Sequence, residues 1–277
     1  MQTKLPEIRK SYINGRFGQL HIRESVSEVQ NKIPVMCLHA SPLSGLIYEE
    51  LLVMLGQDRH TIAPDTPGYG MSDPPLMQPN IEYYAEAFYK LLDTLKIDTL
   101  DLVGYATGSV IAVALADLCP DRIRRMVLFS APVFTDEDRN SFQGRFGETI
   151  IPEPSGKHLL PLWHQVYDGR GPEQTPDLCM HVFSEHIRAS TEAKPWAPRA
   201  AFEYKLDQTL NRIKQPLVIY NLPNEVFEST ERAEKYIING SLISLNNWGH
   251  GFLQTKTNDT NILIRKFFDS KEPEVER

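Results

Sequence analysis

The chain has 277 residues, 41% of them hydrophobic and 23% charged, and carries a formal net charge of -7. That is enough apolar material for one large core, while an acidic balance without any lysine- or arginine-rich run excludes general affinity for nucleic acid. The three cysteines, Cys37, Cys119 and Cys179, cannot all pair and form no CxxC, so the expectation is free thiols in a reducing compartment.

Met1-Gln2-Thr3-Lys4 leads into polar sequence without an apolar run, and no stretch is long and apolar enough to span a bilayer. A cytoplasmic location without membrane contact is therefore expected. Tyr12-Ile13 and Leu20-His21-Ile22 read as a hairpin, with Asn14-Gly15 and Gly18 supplying the turns. After a polar patch from Ser25 to Lys32, Pro34-Val35-Met36-Cys37-Leu38 is a short continuous apolar run. That is the pattern of a strand buried on both faces of a parallel sheet. A helix containing Leu46, Glu50, Leu51 and Leu55 follows, then a strand at His60–Asp65 and a loop at Thr66-Pro67-Gly68-Tyr69-Gly70.

Residues 81–95 have helical spacing, and Leu100-Asp101-Leu102-Val103 is a strand that runs into a glycine-flanked turn. Val110 to Leu118 is an apolar helix stopped by Pro120, and Met126–Phe129 is the next strand. The rhythm breaks after Pro132. Residues 133–210 are richer in Pro, His, Trp and charge and read as helical. Strands resume at residues 215–220 and 241–245, and a helix over 259–268 precedes a charged tail. Strand and helix alternating at this spacing predict an α/β fold, a mostly parallel central sheet with helices on both faces. One domain over 1–277 is expected, with 133–210 inserted into it as a helical cap.

Four motifs then fall in order. His39-Ala40-Ser41-Pro42 follows a buried strand. Asp65-Thr66-Pro67-Gly68-Tyr69-Gly70-Met71-Ser72-Asp73 has the form D-x-P-G-x-G-x-S-D. Gly104-Tyr105-Ala106-Thr107-Gly108 lies between strand and helix, and Gly249-His250-Gly251 follows the last strand. Together they resemble the α/β-hydrolase family over nearly the whole chain, with the oxyanion loop, the nucleophile elbow and the catalytic histidine in their places. The resemblance implies His250 as the catalytic base. It implies an oxyanion hole from the backbone N–H groups of Ala40 and Thr107, which does not depend on side-chain identity. His39, Ser41, Tyr105 and Trp163 are the candidate substrate contacts, with His39 expected chiefly to brace its loop.

Two positions depart from the family. Ala106 stands where the nucleophile belongs, and alanine cannot form an acyl-enzyme. The acid position falls at Asn224 or at its neighbour Glu225, and the sequence leaves both open, since adjacent side chains in extended chain point opposite ways. A non-serine elbow is similar to family members with histidine at that position. The reading is an enzyme acting on a small carbonyl compound, an ester, lactone or ketone, through an oxyanion hole and a histidine base. Its alternatives are a serine hydrolase silenced by alanine at 106 and a non-catalytic ligand-binding or scaffold protein. His181 and His186 lack a companion carboxylate pattern, and no phosphate or dinucleotide fingerprint is present, so neither metal nor cofactor is expected. The sequence does not specify the oligomeric state.

Overall fold

The computed structural model describes residues 6–25, 29, 31–142, 151–189 and 192–271. Part of the polar patch after Ser25, the first five residues, the end of the charged tail, and residues 143–150 and 190–191 of the expected insertion lie outside the described residues.

The chain begins with an antiparallel hairpin, β1 (Ile8–Gly15) and β2 (Gly18–Ser25). β3 (Val35–Leu38) is buried at every position, as its unbroken apolar run requires. The helix expected around Leu46 opens as a 3-10 turn, Gly45–Tyr48, capped by the Ser44 side chain, which accepts from Leu46 N; it continues as α1 (Glu49–Leu55). β4 (Thr61–Pro64) is followed by α2 (Ile81–Leu95), whose start is capped by Asn80 and whose end is set by Lys96 in the left-handed region at φ 56. β5 (Leu100–Tyr105) leads into α3 (Thr107–Leu118), then β6 (Ile123–Phe129).

Among the described residues, five helices lie between β6 and the next strand: α4 (Asp136–Phe142), α5 (Leu159–Asp168), α6 (Pro176–Arg188), α7 (Trp196–Glu203) and α8 (Leu206–Leu210). β7 (Leu217–Asn221), α9 (Phe227–Glu231), β8 (Gly240–Ser244), α10 (Phe252–Thr255) and α11 (Thr257–Phe268) complete the fold. The sequence pattern shows neither α9 nor α10, since four or five residues are too few to display a helical period.

Among the described residues, eight strands form one sheet in the order β1-β2-β4-β3-β5-β6-β7-β8. β2 is antiparallel to both neighbours, and the pairs from β4 to β8 are parallel. One face packs against α2, α3 and α8 through residues such as Phe88, Ile111 and Leu210. The other packs against α1 and α11 through Leu51, Ile264 and Phe268. This is the mostly parallel, two-faced α/β architecture that the alternation implied.

The strand order also locates the site. After β3 the chain moves to one side to make β4, then returns to the other side of β3 to make β5. The loops leaving the adjacent carboxyl ends of β3 and β5 therefore part in opposite directions and leave a crevice between them. Ala40, Ser41, Pro42 and Leu43 line it on one side and Tyr105 and Ala106 on the other. All three cysteines are free and buried, and among the described residues no helix is long and apolar enough to cross a membrane.

Candidate active site

Ala106 is the pivot. Its backbone has φ 48 and ψ -109, a strained conformation for a residue with a Cβ. The turn is held by Ala106 N donating to Phe129 O at 2.9 Å and by Ser109 N donating back to Ala106 O at 2.9 Å. The flanking glycines are steric necessities. A Cβ on Gly104 would sit 2.6 Å from Ser109 Cα, and one on Gly108 would sit 2.0 Å from the Leu38 carbonyl oxygen. The chain thus turns sharply from β5 into α3, leaving the Thr107 N–H at the helix start. Neither that N–H nor the Ala40 N–H donates a hydrogen bond among the described residues.

His250 sits in the loop after β8. Its Nε2 lies 2.9 Å from Glu225 Oε2, and its Nδ1 lies 3.1 Å from the Tyr105 hydroxyl. Desolvation opposes ionisation of Glu225, but the hydrogen bond and charge of His250 outweigh it and hold the carboxyl below its usual range. The same hydrogen bond from Glu225 raises the imidazole pKa against desolvation. An ionised Glu225 only accepts, so Nε2 carries the proton that joins them. In the neutral imidazole Nδ1 is then the lone pair, and the Tyr105 hydroxyl donates to it. The side chains of His250 and Glu225 are 39% and 64% exposed, so the pair orients the ring and adds little to stability.

Asn224 is engaged elsewhere. Its Nδ2 donates to Ser130 Oγ at 3.0 Å, and its Oδ1 accepts from Val226 N at 3.1 Å. It shapes the turn after β7, and that turn directs the next residue, Glu225, toward the imidazole.

These groups border a cavity of about 830 Å³ lined by Ala40, Ser41, Tyr105, Ala106, Thr107, Glu225 and His250, together with residues from α5–α7. Two sequence candidates do not line it. His39 is fully buried, with Nε2 accepting from Thr66 N at 2.8 Å and Nδ1 3.0 Å from Ala40 O, so it braces the loop behind the cavity lining. Burial keeps its pKa low, which suits an acceptor at Nε2. Trp163 stacks on Tyr167, with ring centroids 5.5 Å apart, and meets Phe183 edge-on at 5.6 Å. On α5 it is Leu162 and Val166 that face the cavity, and Trp163 is turned away toward α6.

Lys194, which follows α6, and His186 on α6 also line the cavity. No motif marks them, because they reach the crevice from a segment whose path the sequence does not encode locally. Among the described residues no group of three or more His, Cys, Asp or Glu is placed to hold a metal ion.

Comparison with known proteins agrees with this architecture. Residues 33–167 match the family model described as the alpha/beta hydrolase fold. A 2-hydroxymuconate semialdehyde hydrolase of Pseudomonas sp. (strain CF600) is 36% identical over 114 residues, and the match spans 40% of each chain, so the chain covers well under half of that relative. Among solved structures, the esterase EaEST of Exiguobacterium antarcticum superposes with a TM-score of 0.80 at 19% identity, over 95% of this chain and 100% of that one. The enol-lactonase of Burkholderia xenovorans LB400 gives 0.78 at 17% identity, over 94% and 100%. At such identities the structural likeness is one of fold.

Proposed function

The chain belongs to the α/β-hydrolase-fold family, and from that premise we propose that it hydrolyses a small ester or lactone by histidine-activated water, without an acyl-enzyme. The observation that carries this reading is the arrangement at residue 250. An imidazole oriented by Glu225 presents its lone pair to the Tyr105 hydroxyl, in a cavity that it lines together with Ala106, where no nucleophile stands.

The carbonyl oxygen would lie against the N–H groups of Ala40 and Thr107, which stabilise the charge that develops on it. A water occupying the space that a serine hydroxyl would fill takes the place of Tyr105 on Nδ1. His250 removes its proton as the oxygen attacks, and Glu225 stabilises the imidazolium that forms. The proton then passes from His250 to the leaving alkoxide. No covalent intermediate is needed, so alanine at 106 is compatible with turnover and leaves room for the water. Residues 133–210 act in this reading as a cap, and Leu162, Val182 and Phe202 from that segment line the cavity. The names of the Exiguobacterium esterase and the Burkholderia enol-lactonase agree with the ester and lactone chemistry proposed.

The test is pH-stat hydrolysis of short-chain esters and γ- and δ-lactones by the wild type and His250→Ala. General-base catalysis by a positioned histidine is worth roughly 10²–10⁴-fold, so the variant should lose that much on whichever probe is turned over. A protein that turns over none of them, or a His250→Ala variant as active as the wild type, would contradict the proposal.

A further inference from the structure

The cavity wall contributed by the inserted helices is mostly apolar, with Leu162, Val166, Val182, Pro198 and Phe202 among its residues. Lys194 stands in that wall, and its ammonium has no ion pair and no hydrogen bond among the described residues. Burial lowers its pKa. Its backbone is fixed all the same. The Tyr69 hydroxyl, from a fully buried side chain in the loop after β4, donates to Lys194 O at 2.8 Å and accepts from Ala197 N at 3.2 Å. The lysine is therefore anchored to the sheet at the cavity edge without a counterion.

A partly desolvated cation without a partner is unfavourable unless a ligand supplies the opposite charge. Glu225 is the one carboxylate among the described residues that line the cavity, and it is already engaged. It is hydrogen-bonded to His250. His186 adds no second charge, since desolvation first, then the charges of Lys194 and His250, push its pKa down to about 3. It remains a neutral imidazole beside the lysine.

We propose that Lys194 is the anion anchor of this cavity and that the carbonyl compound handled at His250 carries a single carboxylate at the end remote from the reacting carbonyl. This rests on the hydrolytic reading of the same site and names its substrate class. One uncompensated positive charge matches a monoanion better than a dianion such as a phosphate monoester. The mainly apolar wall suits the carbon chain between the carboxylate and the carbonyl.

The test compares binding of 5-oxohexanoate with that of its neutral isostere 5-oxohexanamide, by NMR titration of the full chain at low salt. The wild type should bind the acid about ten- to a hundredfold more tightly than the amide, the range for a charge-assisted hydrogen bond. Lys194→Met should lose that preference while binding the amide as before, and Lys194→Arg should keep most of it. Equal affinity for the two probes in the wild type would overturn the anchor, as would a preference that survives Lys194→Met. The two readings fail separately. Equal affinities together with His250-dependent ester hydrolysis remove the anchor alone. A Lys194-dependent preference without such hydrolysis removes the reaction alone. Failure of both probes to bind overturns the anchor and leaves the ester assay to decide the reaction.

Discussion

At the scale of single residues, the decisive arrangement is an imidazole shared between Tyr105 and Glu225. The Tyr105 hydroxyl donates to the lone pair that any base catalysis needs. Such a bond is worth about 1 kcal/mol, so Tyr105→Phe should raise hydrolysis by up to about fivefold. The same competition bears on Ala106→Ser. A serine there would find Nδ1 already occupied, so the single substitution should yield only weak esterase activity. Ala106→Ser combined with Tyr105→Phe should exceed the sum of the two, measured on small activated esters; additive effects would show that Tyr105 does not compete for the imidazole. In the proposed reaction Glu225 governs the pH profile. It raises the His250 pKa, and the base works only when neutral, so activity should rise with pH through a midpoint above 6.5. Glu225→Gln should move that limb toward acid while lowering the plateau, because the imidazolium loses its charged partner. An unmoved limb would show that His250 is not the titrating group. The sequence had left Asn224 and Glu225 open for this role. What separates them is the turn after β7, where Asn224 is committed to Ser130 and Val226, and such a commitment has no signature in residue order.

At the scale of elements, the elbow was the most legible part of the site. Gly104 and Gly108 flank a turn whose geometry admits no Cβ at either position, so the G-x-x-x-G spelling between an apolar strand and an apolar helix carries its own explanation. Gly108→Ala would drive a methyl group into the Leu38 carbonyl, 2.0 Å away, and either β3 or α3 must shift. A loss of about 1–3 kcal/mol or more is expected in urea denaturation, with a matching fall in Tm. A variant as stable as the wild type would mean that the β3–α3 contact is looser than described. The strands of the sheet were legible because buried parallel strands read as unbroken apolar runs. The helices after β6 were legible only as a helical interval. Which of their faces meets the crevice depends on packing, and so the sequence favoured Trp163 where the cavity has Leu162, Val166 and His186.

For the whole molecule, the order of four motifs was enough to give the sheet, the turn at 106 and the loop at 250, because each is tied to the end of a strand. The cavity was not legible in the same way, since it exists only where the crevice beside β3 and β5 meets the helices between β6 and β7. The central claim concerns what happens in that space: a water activated by His250 attacks a bound carbonyl, and no bond forms to the protein. Stopped-flow hydrolysis of p-nitrophenyl acetate by the wild type and His250→Ala tests it most directly. The account predicts a linear release of p-nitrophenol from the first turnover, slower in D2O, and a loss of roughly 10²–10⁴-fold in His250→Ala. A burst with an amplitude equal to the enzyme concentration, or a His250→Ala variant that keeps the wild-type rate, would contradict it.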